Sequence, residues 1–148
     1  MIDQASSATS TADRLVLAAM RLFADKGYGS TSVADILREA GANSGSLYHA
    51  FPTKQDLLLE VLRRYRDGIG PMLLTPVWEN VADPIERIFA LLRAYRDMLA
   101  ATDWLYGCPI GSLALELHEP DPPVRELLSV NFHGWTAAIA DCLEEAHA

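Results

Sequence analysis

Cysteine is scarce in this chain of 148 residues. Cys108 and Cys142 are its only two, too few for a disulfide framework, and such sparing use fits the reducing cytoplasm. No apolar run approaches the roughly 20 residues that a membrane-crossing helix requires. The opening stretch MIDQASSATS is polar, so neither a membrane span nor a secretory signal is expected. Internal repeats and the alternating pattern of strands are lacking too, which leaves an all-α chain. Catalytic patterns are equally thin: there is no nucleophile elbow, no phosphate-cradling glycine loop and no Ser-His-Asp set in a supporting context. His118, His133, His147, Cys108 and Cys142 show no C-x-x-C or H-x-x-x-H spacing. No enzyme activity, metal or other cofactor is therefore expected.

Positive charge is also in short supply, and its placement matters more than its amount. The net charge is −8, from 12 Lys and Arg against 20 Asp and Glu. Up to residue 66 there are eight cations and seven acids, a net of +1; from residue 67 onward there are four cations and thirteen acids, a net of −9. A near-neutral front half and an acidic rear half suit a chain that reads nucleic acid with one part and senses something else with the other. With so small a surplus, binding to DNA would rest on placed contacts, and would still fall steeply with salt.

What is present is concentrated between Thr31 and Leu59, in TSVADILREAGANSGSLYHAFPTKQDLLL. Thr31 and Ser32 offer oxygens that cap the helix after them. Val33, Ile36 and Leu37 fall at i, i+3 and i+4 and give that helix one apolar face. Gly41 follows it where a left-handed residue commonly ends a helix. Asn43 or Ser44 restarts a helix whose buried anchor is Leu47, Pro52 stops it, and Thr53 caps the next helix ahead of Lys54. Two short helices around a glycine-containing turn, the second opening on small polar residues, form a helix-turn-helix. The second helix has an outer face free to enter a major groove.

The run AGANSGSLYHAFPTKQDLL resembles the DNA-binding domain of the TetR/AcrR family of bacterial repressors, and Leu15 to Gly27 is similar to that family's first helix. The resemblance implies phosphate contacts from Tyr48, His49 and Lys54. It implies an approach to the groove floor by Asn43, Ser44, Gly45 and Ser46, with Gly45, lacking a Cβ, allowing a close approach. For Thr31 and Ser32, a phosphate contact and a plain capping role both stand. Ser44 departs from the family pattern, which often has lysine there. Arg38 either replaces that cation by reaching a guanine or is an ordinary solvent-facing arginine.

Behind this head, Leu57, Leu58, Val61, Leu62 and Tyr65 mark one side of the helix that begins at Lys54. Gly68, Gly70 and Pro71 predict its end or a kink, followed by a linker-like stretch, MLLTPVWENVA. Asp83-Pro84 opens a helix with Asp83 as cap and Glu86 closing a capping-box-like arrangement. Its expected buried face is Ile85, Ile88, Phe89, Leu92, Tyr95 and Leu99. Further helices are expected from Cys108-Pro109 to about His118 and from Asp121-Pro122 onward, the last with an apolar stripe of Val130, Phe132, Trp135, Ala138, Ile139 and Cys142. The domains so drawn are a flexible tail over 1–10, the DNA-binding head over 11–58 and a helical ligand-binding and dimerisation body over 59–148.

All three tryptophans lie in the body, and ligand pockets are commonly apolar and aromatic. The expected pocket residues are Phe89, Tyr95, Trp104, Tyr106, Cys108, His118, Phe132 and Trp135, although any single ring taken alone is more readily plain core. Gly107 to Leu117, GCPIGSLALEL, is similar to a branch of the family containing lincomycin-resistance-type and flavonoid-responsive repressors, which implies a planar, largely apolar effector. Cys108 at a helix N-terminus also admits an electrophile or redox sensor, against the plainer reading of a packed thiol. The family resemblance further implies a homodimer on a palindromic double-stranded operator, with no membrane partner. Relatives are usually longer and pair two final helices, so this chain looks one helix short. The competing reading is thus a truncated, partner-binding helical module.

Overall fold

Ser10 opens the first helix by accepting the backbone N–H of Asp13 on its hydroxyl at 3.0 Å, and the rest of the fold follows the same local logic of caps and breaks. The computed structural model describes residues 9–148, and among them all regular structure is helical. Most of the tail expected over 1–10 lies outside the described residues. The elements are α1 (Thr11–Lys26), α2 (Val33–Ala40), α3 (Ser44–Ala50), α4 (Lys54–Ile69), a π-helical turn (Gly70–Leu74), α5 (Thr75–Trp78), α6 (Pro84–Ala100), α7 (Pro109–Glu116) and α8 (Pro122–His147). The chain divides into two units between Val61 and Leu62, inside α4 and three residues beyond the boundary expected from sequence.

In the first unit α1 packs on α2 and α3. Leu15, Ala19, Ile36, Leu47, Leu57 and Val61 are fully buried, and Val16, Phe23 and Leu58 nearly so. Gly41 takes up φ 58° and ψ 42° at the end of α2, a left-handed conformation that costs glycine least. Seven residues are too few for a helix to hold itself together in water. Burial of Leu47, worth about 2 kcal/mol, fastens α3 to the rest of the head. Thr53 and Asp56 cap α4 reciprocally: the Asp56 N–H donates to the Thr53 hydroxyl oxygen at 3.1 Å and the Thr53 N–H to the Asp56 carboxylate at 2.9 Å.

In the second unit α6 and α7 pack on α8, and α5 packs on α6. Its core comprises Leu62, Leu91, Ile110, Leu113, Val124, Leu128 and Cys142, and burial pushes the Cys142 thiol's pKa up. Two expectations are corrected here. The stretch after Ile69 is no open linker: the backbone stays helical to Trp78. Pro71 lacks the N–H an α-helix would use, and a wider turn, closed by the Thr75 N–H on the Gly70 carbonyl, carries the chain past it. On α6, Ile85, Phe89 and Leu92 face outward, 40%, 51% and 58% exposed, while Leu91 is buried. The apolar residues of α6 lie on two ladders, and the one through Leu91 meets α8. Glu86 donates its N–H to Asp83 at 2.8 Å, while its carboxylate pairs with Arg93.

On α8 the expected stripe is only partly buried: Cys142 is inside, Trp135, Ala138 and Ile139 are half-buried, and Val130 and Phe132 are exposed. After α6, Asp103 and Trp104 both adopt positive φ, 50° and 63°, strained for side chains of their kind.

Candidate nucleic-acid interface

The surface that α3 presents is polar and free of acids: Ser44, Gly45, Tyr48 and His49 are exposed, Ser46 is half-buried, and Leu47 points inward. Asn43 is the N-cap, its Oδ1 accepting the Ser46 N–H at 2.9 Å, so its carboxamide oxygen is already engaged. A Cβ on Gly45 would meet that same Oδ1 at 3.3 Å, a tight contact. Gly45 therefore keeps room for the cap as well as thinning the outer face of the helix. Tyr48 is 52% exposed, with its phenol at the surface.

Lys54 is held more firmly than its sequence context indicates. Its Nζ donates to the Tyr28 carbonyl at 2.6 Å and lies 4.1 Å above the centre of the Tyr28 ring. Tyr28 in turn meets Phe23 edge-on at 5.2 Å. The ammonium is thus braced against the loop that follows α1. Sequence reading missed Tyr28 in this role; the only trace of it was the aromatic residue directly after Gly27.

Asp35 gathers several donors. Lys26 Nζ lies 2.7 Å away, the Ser32 backbone N–H donates at 3.1 Å, the Ser32 hydroxyl accepts the Asp35 N–H at 3.1 Å, and Arg38 closes the set at 2.5 Å. Chiefly through Lys26, and then through Ser32 and Arg38, this company holds the Asp35 carboxyl well below the usual carboxylate range. Ser32 is consequently a capping-box residue, and Arg38, with its side chain 75% exposed, is paired at one end and free to swing outward.

Thr31 requires a correction. It is 1% exposed, and its Oγ1 donates to the Gly27 carbonyl at 2.6 Å, with the Leu22 carbonyl 3.3 Å away. Its hydroxyl closes the C-terminal end of α1, where helical carbonyls lack partners, and does not reach the surface where a phosphate would lie.

Of the eight residues expected to line a pocket, Tyr95 and Trp135 meet at 5.2 Å between ring centres, and Phe89, Trp104, Tyr106, Cys108, His118 and Phe132 are exposed. An open hollow of about 440 Å³ runs along α8, lined by Trp135, Thr136, Ile139, Ala140 and Leu143. Cys108 caps α7, its Sγ accepting the Gly111 N–H at 3.4 Å. Burial pushes the Tyr65 hydroxyl up to about 12, and negative charge on Cys108 adds to the effect; Tyr95 is raised by the same two causes. Among the described residues no three His, Cys, Asp or Glu side chains come together as a metal site would require.

Comparison with known proteins places both units. Residues 15–61 match the model described as bacterial regulatory proteins, tetR family, and residues 84–148 match the C-terminal domain of transcriptional regulators like LmrA and YxaF. The Bacillus subtilis (strain 168) regulator YxaF is 32% identical over 134 residues, covering 90% of this chain and 70% of YxaF. The LmrA regulator of the same organism is 31% identical over 134 residues, covering 90% of this chain and 71% of LmrA. Both carry helix-turn-helix descriptions and are transcriptional regulators rather than enzymes. Among solved structures, the regulatory protein TetR from Rhodobacter sphaeroides superposes with a TM-score of 0.82 at 27% identity, covering 93% of this chain and 73% of that one.

Proposed function

This chain belongs to the TetR family of bacterial transcriptional regulators, and from that premise we propose that it is a repressor released from its operator by a small, largely apolar or aromatic molecule. The observation that carries the reading is the outer face of α3: exposed Ser44, Gly45, Tyr48 and His49 on a helix without an acid, anchored from behind by Leu47. In this reading Ser44, Gly45 and Ser46 face the groove floor. Tyr48 and His49 donate to phosphate, and Asn43 contributes through the amide nitrogen that its cap leaves free. Ser32 lies beside the backbone, Lys54 supplies positive charge from its seat on Tyr28, and Arg38 swings from Asp35 to a base or phosphate.

Two such heads in a homodimer, about 34–36 Å apart, would read a palindromic site. The aromatic character of the body, with Tyr95 against Trp135 beside the hollow along α8, supports an apolar effector. A tenfold loss of operator affinity requires the effector to favour the released conformation by only about 1.4 kcal/mol. Exposure of Cys108 at the mouth of α7, near two raised tyrosines, favours one second reading, an electrophile or oxidant as the effector. Replacing Cys108 with Ser separates the two, because a response to non-electrophilic ligands survives that change only under the first.

DNase footprinting of the DNA upstream of the chain's own gene tests the main reading. A protected stretch with two-fold symmetry is expected, lost in Ser44→Asp, which sets a carboxylate against the groove. Protection that survives Ser44→Asp unchanged would remove α3 from the interface.

A further inference from the structure

Two polar side chains are almost wholly buried among the described residues, Thr31 in the head and Asn131 on α8. Thr31 closes a helix end, but Asn131 has no helix end to serve. It is 5% exposed, and its Nδ2 donates at 2.8 Å to the Leu127 carbonyl, one turn back on α8, and at 3.1 Å to the Leu62 carbonyl on α4. Both N–H bonds of the carboxamide are therefore used, one on each helix.

The Leu62 carbonyl lies well inside α4, where the helical pattern already pairs it with the N–H four residues on. Asn131 takes its second lone pair. Neither carbonyl would be orphaned without the amide, so an apolar side chain of similar size in its place should cost little stability. What the amide adds is direction. Sliding α4 by one residue moves it about 1.5 Å and turns it by about 100°, which carries the Leu62 carbonyl away from Asn131.

The C-terminal end of α4 meets a turn of the kind that can take up such a shift. It runs without a break into the π-helical turn Gly70–Leu74, whose wider loop holds one residue more than an α-turn. Exchange between the two kinds of turn alters the register by one residue. Asn131 thus fastens α4 shortly before the turn at which such an exchange would alter its register.

We propose that Asn131 is a positioning residue that pins the register of α4 against α8, and that effector binding in the body lowers operator affinity by releasing this pin. The second half of this proposal rests on the repressor reading above. Among the described residues α4 is the helix that runs from the head into the body, so its register is a quantity both share.

The test is amide hydrogen exchange by NMR on the full chain, wild type and Asn131→Leu, with thermal melting and operator binding measured alongside. In the wild type both Asn131 side-chain amide protons are expected to exchange slowly. In Asn131→Leu the melting temperature should stay at or above that of the wild type. The α4 amides from Leu62 to Ile69 should nonetheless exchange about fivefold faster, and the preference for operator over scrambled DNA should fall several-fold. Fast exchange of the wild-type Asn131 side-chain protons overturns the pin without recourse to any variant, even if Asn131→Leu fails to fold. Unchanged α4 exchange in a folded Asn131→Leu also overturns it. A wild type with protected Asn131 protons that shows no operator preference counts against the repressor reading and leaves the pin standing.

Discussion

Thr31 and Ser32 are adjacent hydroxyls with different tasks, and the difference is measurable. Thr31 is buried against the end of α1, whereas Ser32 starts α2 and shares its cap with Asp35. Thr31→Val keeps the shape and removes the donor to the Gly27 carbonyl, so denaturant unfolding should show a loss of about 1 kcal/mol while DNA affinity in the folded protein stays unchanged. A selective loss of DNA affinity at full stability would return Thr31 to the interface. Asp35 makes a second prediction, through pH. Its pKa is lowered in the fold from 3.8, so the stability it contributes is complete above that value and is lost as pH falls below it. Melting of the wild type between pH 5 and 2.5 should therefore fall more steeply than melting of Asp35→Asn. Parallel curves would mean that Lys26, Ser32 and Arg38 do not hold the carboxylate in solution.

Helices are where sequence reading succeeded and failed most instructively. The caps at Ser32, Gly41, Asn43, Thr53 and Asp83 were legible because capping is settled within three or four residues. The polar front of α3 was legible for the same reason. The buried side of α6 was not, since it depends on which of two apolar ladders a distant helix covers. The passage from Ile69 to Trp78 was misread because glycine and proline signal a break, while a π-helical turn absorbs the missing N–H of Pro71. Asn131 left no signal at all: a single asparagine within a long helix looks the same whether buried or solvated. The correction to α6 carries its own test. Leu91→Ala, at 3% exposure, should cost about 2–4 kcal/mol, whereas Leu92→Ala, at 58%, should cost under about 0.5 kcal/mol by the same denaturant measurement. Equal costs would mean that the faces are assigned wrongly.

At the scale of the whole molecule, charge and structure divide unevenly but in the same sense. The unit that ends at Val61 carries the helix-turn-helix and five cations against seven acids, a net of −2, while the unit that follows has seven cations against thirteen acids, a net of −6. The two family matches fall on the same two units, one to each. No helix among the described residues is long and apolar enough to cross a membrane. With a head so close to neutral, specific binding must come from a few placed donors, and its salt dependence counts the phosphates they reach. The most direct measurement is a fluorescence-anisotropy titration of the chain against the DNA upstream of its own gene, with scrambled DNA as control, at two salt concentrations. Tight binding is expected that prefers the upstream DNA, weakens steeply with salt and saturates at two protomers per site. Weak binding, equal on both DNAs, would contradict the two-headed repressor.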